Sequence, residues 1–164
     1  HGVPGWIPKI LFSKGISIGF ASLLATIPIV IGIISALTVP RFTNNDTRIK
    51  ILALLFINAA FSLLLLQSNN LMIFIIGLFF LGISTGSLIA IILNHLSETK
   101  DISYNNIGIA GGLFFSIIEI GGVLGPFFIG LIYDLYNNFN VALSLYALLM
   151  FIMIFPLYIL KNKI

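Results

Sequence analysis

The sequence has no cysteine. Disulfides, zinc–thiolate centres and thiol nucleophiles are therefore excluded. Charge is scarce as well. Only 8% of the 164 residues are Asp, Glu, Lys or Arg, against about 25% in a soluble domain. Such a chain cannot clothe a water-facing surface. His95 has no second His, Cys or Asp at ligand spacing, so no metal site is expected. No Ser-His-Asp set, His-Glu-x-x-His helix or phosphate-binding glycine loop occurs. Catalysis, nucleotide use and cofactors all lack a motif. The net charge of +3 is small, and the basic residues stand between the apolar runs. They read as topology determinants, not as a nucleic-acid surface.

What remains is hydrophobic: 59% of the chain, at a mean hydropathy of +1.16. The apolar runs are continuous and near twenty residues long, as a membrane helix requires. They lack the period-two alternation of a transmembrane barrel. The fold class is thus an all-α membrane protein whose principal partner is the lipid bilayer. The expected spans are 17–39, 51–66, 71–93, 107–133 and 141–160. Residues 1–14 are too short to cross. They read as the last turns of a truncated helix with Trp6 at headgroup level, or as an interfacial segment. No signal peptide is visible, and the start at His1 suggests a piece of a longer chain.

In the first span, Ser22, Ala25, Ile29, Gly32 and Ala36 form a small-residue face suited to close packing. Pro28 predicts a kink and Pro40 the end. In the second span, Asn58 is expected to make a packing contact only. The third span carries the pair Gly82/Gly86 and a polar patch of Ser84, Thr85 and Ser87. Those hydroxyls either line a cavity or bond back to their own helix.

The stretch 108–134 is distinctive: GIAGGLFFSIIEIGGVLGPFFIGLIYD. Glu119, near its centre, is the only charge within any long apolar run. A carboxylate at that depth costs ~2.5 kcal/mol or far more, which marks it as functional or paired. On a helix it shares a face with Gly112, Phe115, Ser116, Gly122 and Pro126, so it is expected to point at a helix or an aqueous cavity. Desolvation raises a carboxyl pKa, which suits proton coupling. The other reading is an interhelical hydrogen bond. Pro126 cannot donate to the Gly122 carbonyl, and Gly121, Gly122 and Gly125 allow close approach or bending there. Hinge and plain packing both fit. No Lys or Arg lies inside a span, so protons, cations or neutral solutes suit these helices better than anions.

Orientation follows from the basic residues. Arg41, Arg48, Lys50, Lys100, Lys161 and Lys163 fall on one side, and Lys9 and Lys14 on the other. The C-terminus is expected to be cytoplasmic.

Several segments resemble the major facilitator superfamily. GWIPKILFSKGIS is similar to the end of that family's seventh helix and the start of its eighth. VPRFTNNDTRIK lies where the family has its basic loop between helices eight and nine. GGVLGPFFIGLIYD resembles the Gly-Pro-Gly end of helix eleven. The first span is most similar to the cyanate-permease and organic-anion branch. The resemblance implies the C-terminal six-helix half of a twelve-helix transporter, its first helix truncated, with an N-terminal half as partner. It further implies a small-molecule substrate, alternating access and residence in the plasma membrane. The third span would be the family's helix ten, which lines the central cavity. The basic loop departs from the family: Thr47 separates Asp46 from Arg48, the glycines are absent, and only Lys50 continues the basic run. Its charge then either latches a gate or only sets topology. The rival class is a membrane scaffold in which Glu119 and the glycines only join helices.

Overall fold

The computed structural model describes residues 2–98 and 106–161, with the backbone alone for 160–161. Lys100 and Lys163 lie outside the described residues. All regular structure among the described residues is helical. A short 3-10 turn, Pro4–Trp6, leads into α1 (Ile7–Ser13). Then come α2 (Ile18–Leu24), α3 (Ile27–Thr38) and a 3-10 turn, Val39–Phe42. The long helices are α4 (Arg48–Leu65), α5 (Leu71–Glu98) and α6 (Ile107–Tyr136). Last are α7 (Phe139–Ile152) and α8 (Ile154–Lys161). Five stretches are long and apolar enough to cross a membrane: Ile18–Phe42, Arg48–Leu65, Leu71–Glu98, Ile107–Tyr136 and Phe139–Ile159.

Two prolines cut spans that hydropathy draws as continuous. Pro28 has no N–H for the Leu24 carbonyl, so α2 stops there and α3 restarts at Ile27. Beside the break the Thr26 hydroxyl donates back to the Leu23 carbonyl at 2.7 Å. Pro156 acts likewise, and the last span breaks at Met153 into α7 and α8. The third span runs to Glu98, so residues 94–98, expected as loop, are helical. Asn137 adopts the left-handed conformation, at φ 53°, and ends α6. Asn138 then caps α7 by accepting from the Asn140 amide at 2.8 Å.

Lipid offers no hydrophobic drive between helices, so close packing and hydrogen bonds must hold this bundle. The tightest seam joins α3 to α5. A Cβ on Gly86 would overlap the Gly32 carbonyl and stand 2.7 Å from Ser35 Oγ. One on Gly82 would stand 2.8 Å from the Pro28 oxygen. Ser35 Oγ donates across the seam to the Gly82 carbonyl at 3.3 Å. The buried face of this span is Ala21, Leu24, Pro28, Gly32 and Ser35. It corrects the expected face, because Ser22 and Ile29 are exposed. The break at residues 25–26 turns α3 relative to α2, which no single helical wheel captures.

On its other side α5 packs on α4. Asn58 of α4 donates to the Phe80 carbonyl at 2.8 Å and to Ser84 Oγ at 2.7 Å. It does more than fill space. The main core gathers Ile7, Ile10, Leu66, Phe74, Leu78, Leu143 and their neighbours. A smaller cluster, Leu52, Leu55 and Ile91, is closed by Leu157 of α8. Helix α6 leans chiefly on α7 and is the most open span.

The two ends are fastened differently. At one, Lys14 Nζ donates to the carbonyls of Gln67 and Ser68, at 2.8 and 2.7 Å. Partial burial holds its pKa below the ordinary lysine value. At the other, buried Arg48 pairs with Glu98 and donates to His95 Nδ1 at 2.6 Å. This ties the start of α4 to the end of α5. Arg41, Asp46 and Lys50 are exposed. Arg48→Ala is therefore expected to cost about 1–2 kcal/mol, below the figure for a fully buried pair because Glu98 can rehydrate. Glu98→Gln is expected to cost less, since Arg48 keeps His95. Thermal unfolding in detergent measures both; an unchanged midpoint for Arg48→Ala contradicts the latch.

Candidate functional site

Two features compete as the working part of the molecule. One is a cavity of about 710 Å³ between α3, α4, α5, α6 and α7, reached by Gly2, Val3 and Pro4. Its walls are mainly apolar, and no charged residue lines it. The other is the opposite side of α6, which carries Glu119.

The hydroxyls at the cavity are already engaged. Ser84 is fully buried; it donates to the Leu55 carbonyl at 3.0 Å and accepts from Asn58. Thr85 bonds back to the carbonyls of Leu81 and Gly82, at 3.0 and 3.2 Å. Tyr146 OH donates to the Gly125 carbonyl at 2.7 Å. Ser87 is not on the wall: it is buried, and its hydroxyl has no hydrogen-bond partner among the described residues. Of the two readings for Ser84, Thr85 and Ser87, bonding to helix backbone fits Ser84 and Thr85 here. Two of the three reach the wall, and both spend their hydroxyls on helix backbone.

Glu119 is exposed and does not line the cavity. The helix or aqueous cavity that Glu119 is expected to face is therefore neither a described helix nor the cavity between α3 and α7. At ~100° per residue, the wall residues Phe114, Ile117, Ile118, Gly121 and Gly125 form one stripe of α6. Glu119 falls with Gly112 and Ser116 on the far side. Ser116 is exposed and bonds back to the Gly112 carbonyl at 2.8 Å. No hydrogen bond or ion pair among the described residues reaches Glu119. An uncovered, unpaired carboxylate near mid-helix is the least expected arrangement for a helix bathed in lipid.

The glycines of α6 divide. Gly125 is a true close contact: Gly2 lies against it, and a Cβ on Gly2 would stand 2.8 Å from the Gly125 carbonyl carbon. A Cβ on Gly112 or Gly121 would meet nothing within 4 Å, so neither supports the expected close approach within the described residues. Gly122 is half-buried. The N-terminal turn is what meets the proline. Trp6 Nε1 donates to the Pro126 carbonyl at 3.1 Å, and the indole lies over Gly130 and tilts against Phe139. Lys9 sits over the rings of Trp6 and Tyr133, at 4.9 and 5.1 Å. Nothing in the sequence pairs Trp6 with Pro126, which stand 120 residues apart. The clue available was a lone tryptophan beside two prolines.

Among the described residues no group of acidic, histidine or cysteine side chains can hold a metal ion. Comparison with curated proteins and with solved structures gives no match. A family model described as Major Facilitator Superfamily matches residues 3–163. The match stops at the superfamily and does not reach the cyanate-permease branch. With five stretches long and apolar enough to cross a membrane and a match over nearly its full length, the chain belongs to the major facilitator superfamily of multi-pass membrane transporters.

Proposed function

We propose that this chain is the C-terminal six-helix half of a secondary transporter, and not an enzyme. It moves a small solute by alternating access, with Glu119 as the proton-coupling group. The observation that carries the reading is the uncovered carboxylate itself. It stands near the middle of a 30-residue span, on a face that no described helix of this chain covers. Such a face requires a second bundle or water beside it. An N-terminal half supplies both, with a cavity at the midplane between the halves. Ser116 and Gly112 would share that surface with Glu119. With no cation on the face, the solute is a cation or neutral.

The transporter resides in the plasma membrane with the Arg48–Glu98 end cytoplasmic. Single cysteines test this cleanly because the chain has none of its own. Cysteine at Asn69 is expected to react with an impermeant maleimide added outside intact cells, and cysteine at Asn45 only after lysis. Both positions are exposed. The reverse pattern overturns the orientation. The transport function is tested by reconstituting the twelve-helix protein with a pH dye inside the vesicles. A panel of small cationic and neutral solutes should yield one whose addition moves protons inward with it. If no solute does so, the coupled-transport reading fails and the scaffold reading stands.

A further inference from the structure

We propose that Trp6 and Tyr133, backed by Phe139, form a site for a methylated ammonium group, and that the Lys9 ammonium is its tethered occupant. The place of this site on a solute pathway rests on the proposed role of Glu119; binding at the site does not.

Three observations carry it. The first is how the rings are held. Trp6 comes from the N-terminal turn, Tyr133 from the last turn of α6 and Phe139 from the first of α7. Phe139 is buried. It stacks on Tyr133 at 4.1 Å between centroids and meets Trp6 at 5.7 Å. The indole N–H is fixed on the Pro126 carbonyl at 3.1 Å. The two rings are thus set in place by neighbours other than the cation. Trp6 and Tyr133 are only half-buried, so each keeps an open side.

The second is the occupant. An aromatic face attracts a cation lying within about 6 Å of its centroid. Lys9 Nζ stands 4.9 Å from the Trp6 ring and 5.1 Å from the Tyr133 ring, where both act on it together. It has nothing else: Lys9 is exposed, and among the described residues no hydrogen bond or ion pair reaches it. Lys14 is the contrast, its ammonium bound to the Gln67 and Ser68 carbonyls. A lysine ammonium is compact and strongly hydrated, so it gives up the rings to water at little cost. A methylated ammonium is weakly hydrated and has few or no N–H groups to offer a carbonyl. Aromatic faces are the partner such a group has, and pairs of them recognise it.

The third is place. Tyr133 follows Glu119 by fourteen residues on α6. At ~100° and ~1.5 Å per residue, it falls within ~40° of Glu119 around the helix and ~21 Å along it. A cation held by the rings therefore stands over the face that carries the carboxylate. The methylated ammonium could belong to a free organic cation or to a choline lipid headgroup; the chemistry is the same.

Trp6 is the only tryptophan of the chain, so its emission reports the site alone. The probe is the trimethylammonium derivative of the nitroxide TEMPO, with the uncharged hydroxyl derivative as control, added to the chain in dodecylmaltoside. The charged nitroxide is expected to quench Trp6 saturably and the uncharged one only in proportion to its concentration. Lys9→Gln frees the site and should tighten the charged probe about three- to sixfold. Tyr133→Phe keeps the ring and should keep saturation; Tyr133→Leu should lose it. Choline chloride releasing the probe identifies a free organic cation as the ligand, and release by phosphatidylcholine alone identifies the headgroup. Equal quenching by the two nitroxides, release by neither competitor, or an unchanged or weaker affinity in Lys9→Gln overturns the proposal. No readout involves transport, so failure here and failure of the coupling reading are separable.

Discussion

Gly86→Leu is expected to leave no folded bundle. The side chain would have to occupy the space of the Gly32 backbone and Ser35 Oγ. The obstacle is main chain in a packed helix, so no rotamer relieves it. Overpacking by a methylene or two costs about 1–3 kcal/mol where side chains can shift. Here α3 must leave α5, and with it goes the Ser35 hydrogen bond to Gly82. The loss approaches the whole stability of an ordinary domain, about 5–15 kcal/mol. Even Gly86→Ala should lower the midpoint of thermal unfolding markedly. Gly111→Ala is the control: its Cβ meets nothing within 4 Å. It should be neutral, or slightly stabilising by the ~0.5–1 kcal/mol that glycine costs inside a helix. Size-exclusion profiles in detergent with a fluorescent tag read both variants directly. A monodisperse Gly86→Leu peak contradicts the seam.

The spans were legible because lipid demands long apolar helices, and hydropathy reports that demand residue by residue. The break at Pro28 was legible for the same local reason, a missing N–H. Pro156 carries the same signal, yet its span hydropathy is unbroken and hides the break at Met153. Pairings across the chain were not legible. Gly32 and the pair Gly82/Gly86 each read as a packing surface, but nothing local says that they meet. Arg48 read as a topology charge or a gate latch. Its partners His95 and Glu98 lie 47 and 50 residues on, at a helix end drawn too short. Ser84 and Thr85 carried two readings, a cavity lining or bonds to helix backbone, and their hydroxyls take the second while both residues lie at the wall. Composition cannot say whether a hydroxyl faces a void or a carbonyl.

Glu119 was legible as an anomaly, but not the face of α6 on which it would stand. Its rarity comes from the cost of a carboxylate in lipid, which any reader of the sequence can apply. Which face of α6 is covered depends on where α7 and the N-terminal turn settle, and that is tertiary. The helix turns its wall stripe inward and leaves Glu119 outside. On the proposed reading, a second half of the transporter would meet that outside face.

The most direct measurement therefore compares the proposed twelve-helix protein, as parent, with Glu119→Gln in proteoliposomes, using the solute found by the pH-dye screen. Glutamine keeps the shape and hydrogen-bonding reach of the side chain and removes its proton. Solute-for-solute exchange moves no net proton, so the variant should exchange as the parent does. Accumulation against a gradient needs the proton. With one proton per neutral solute, the parent should concentrate solute up to about tenfold for each pH unit imposed. The variant should stop at equal concentrations inside and out. Equal pH-driven accumulation in both proteins would contradict the account and leave Glu119 as a contact between helices.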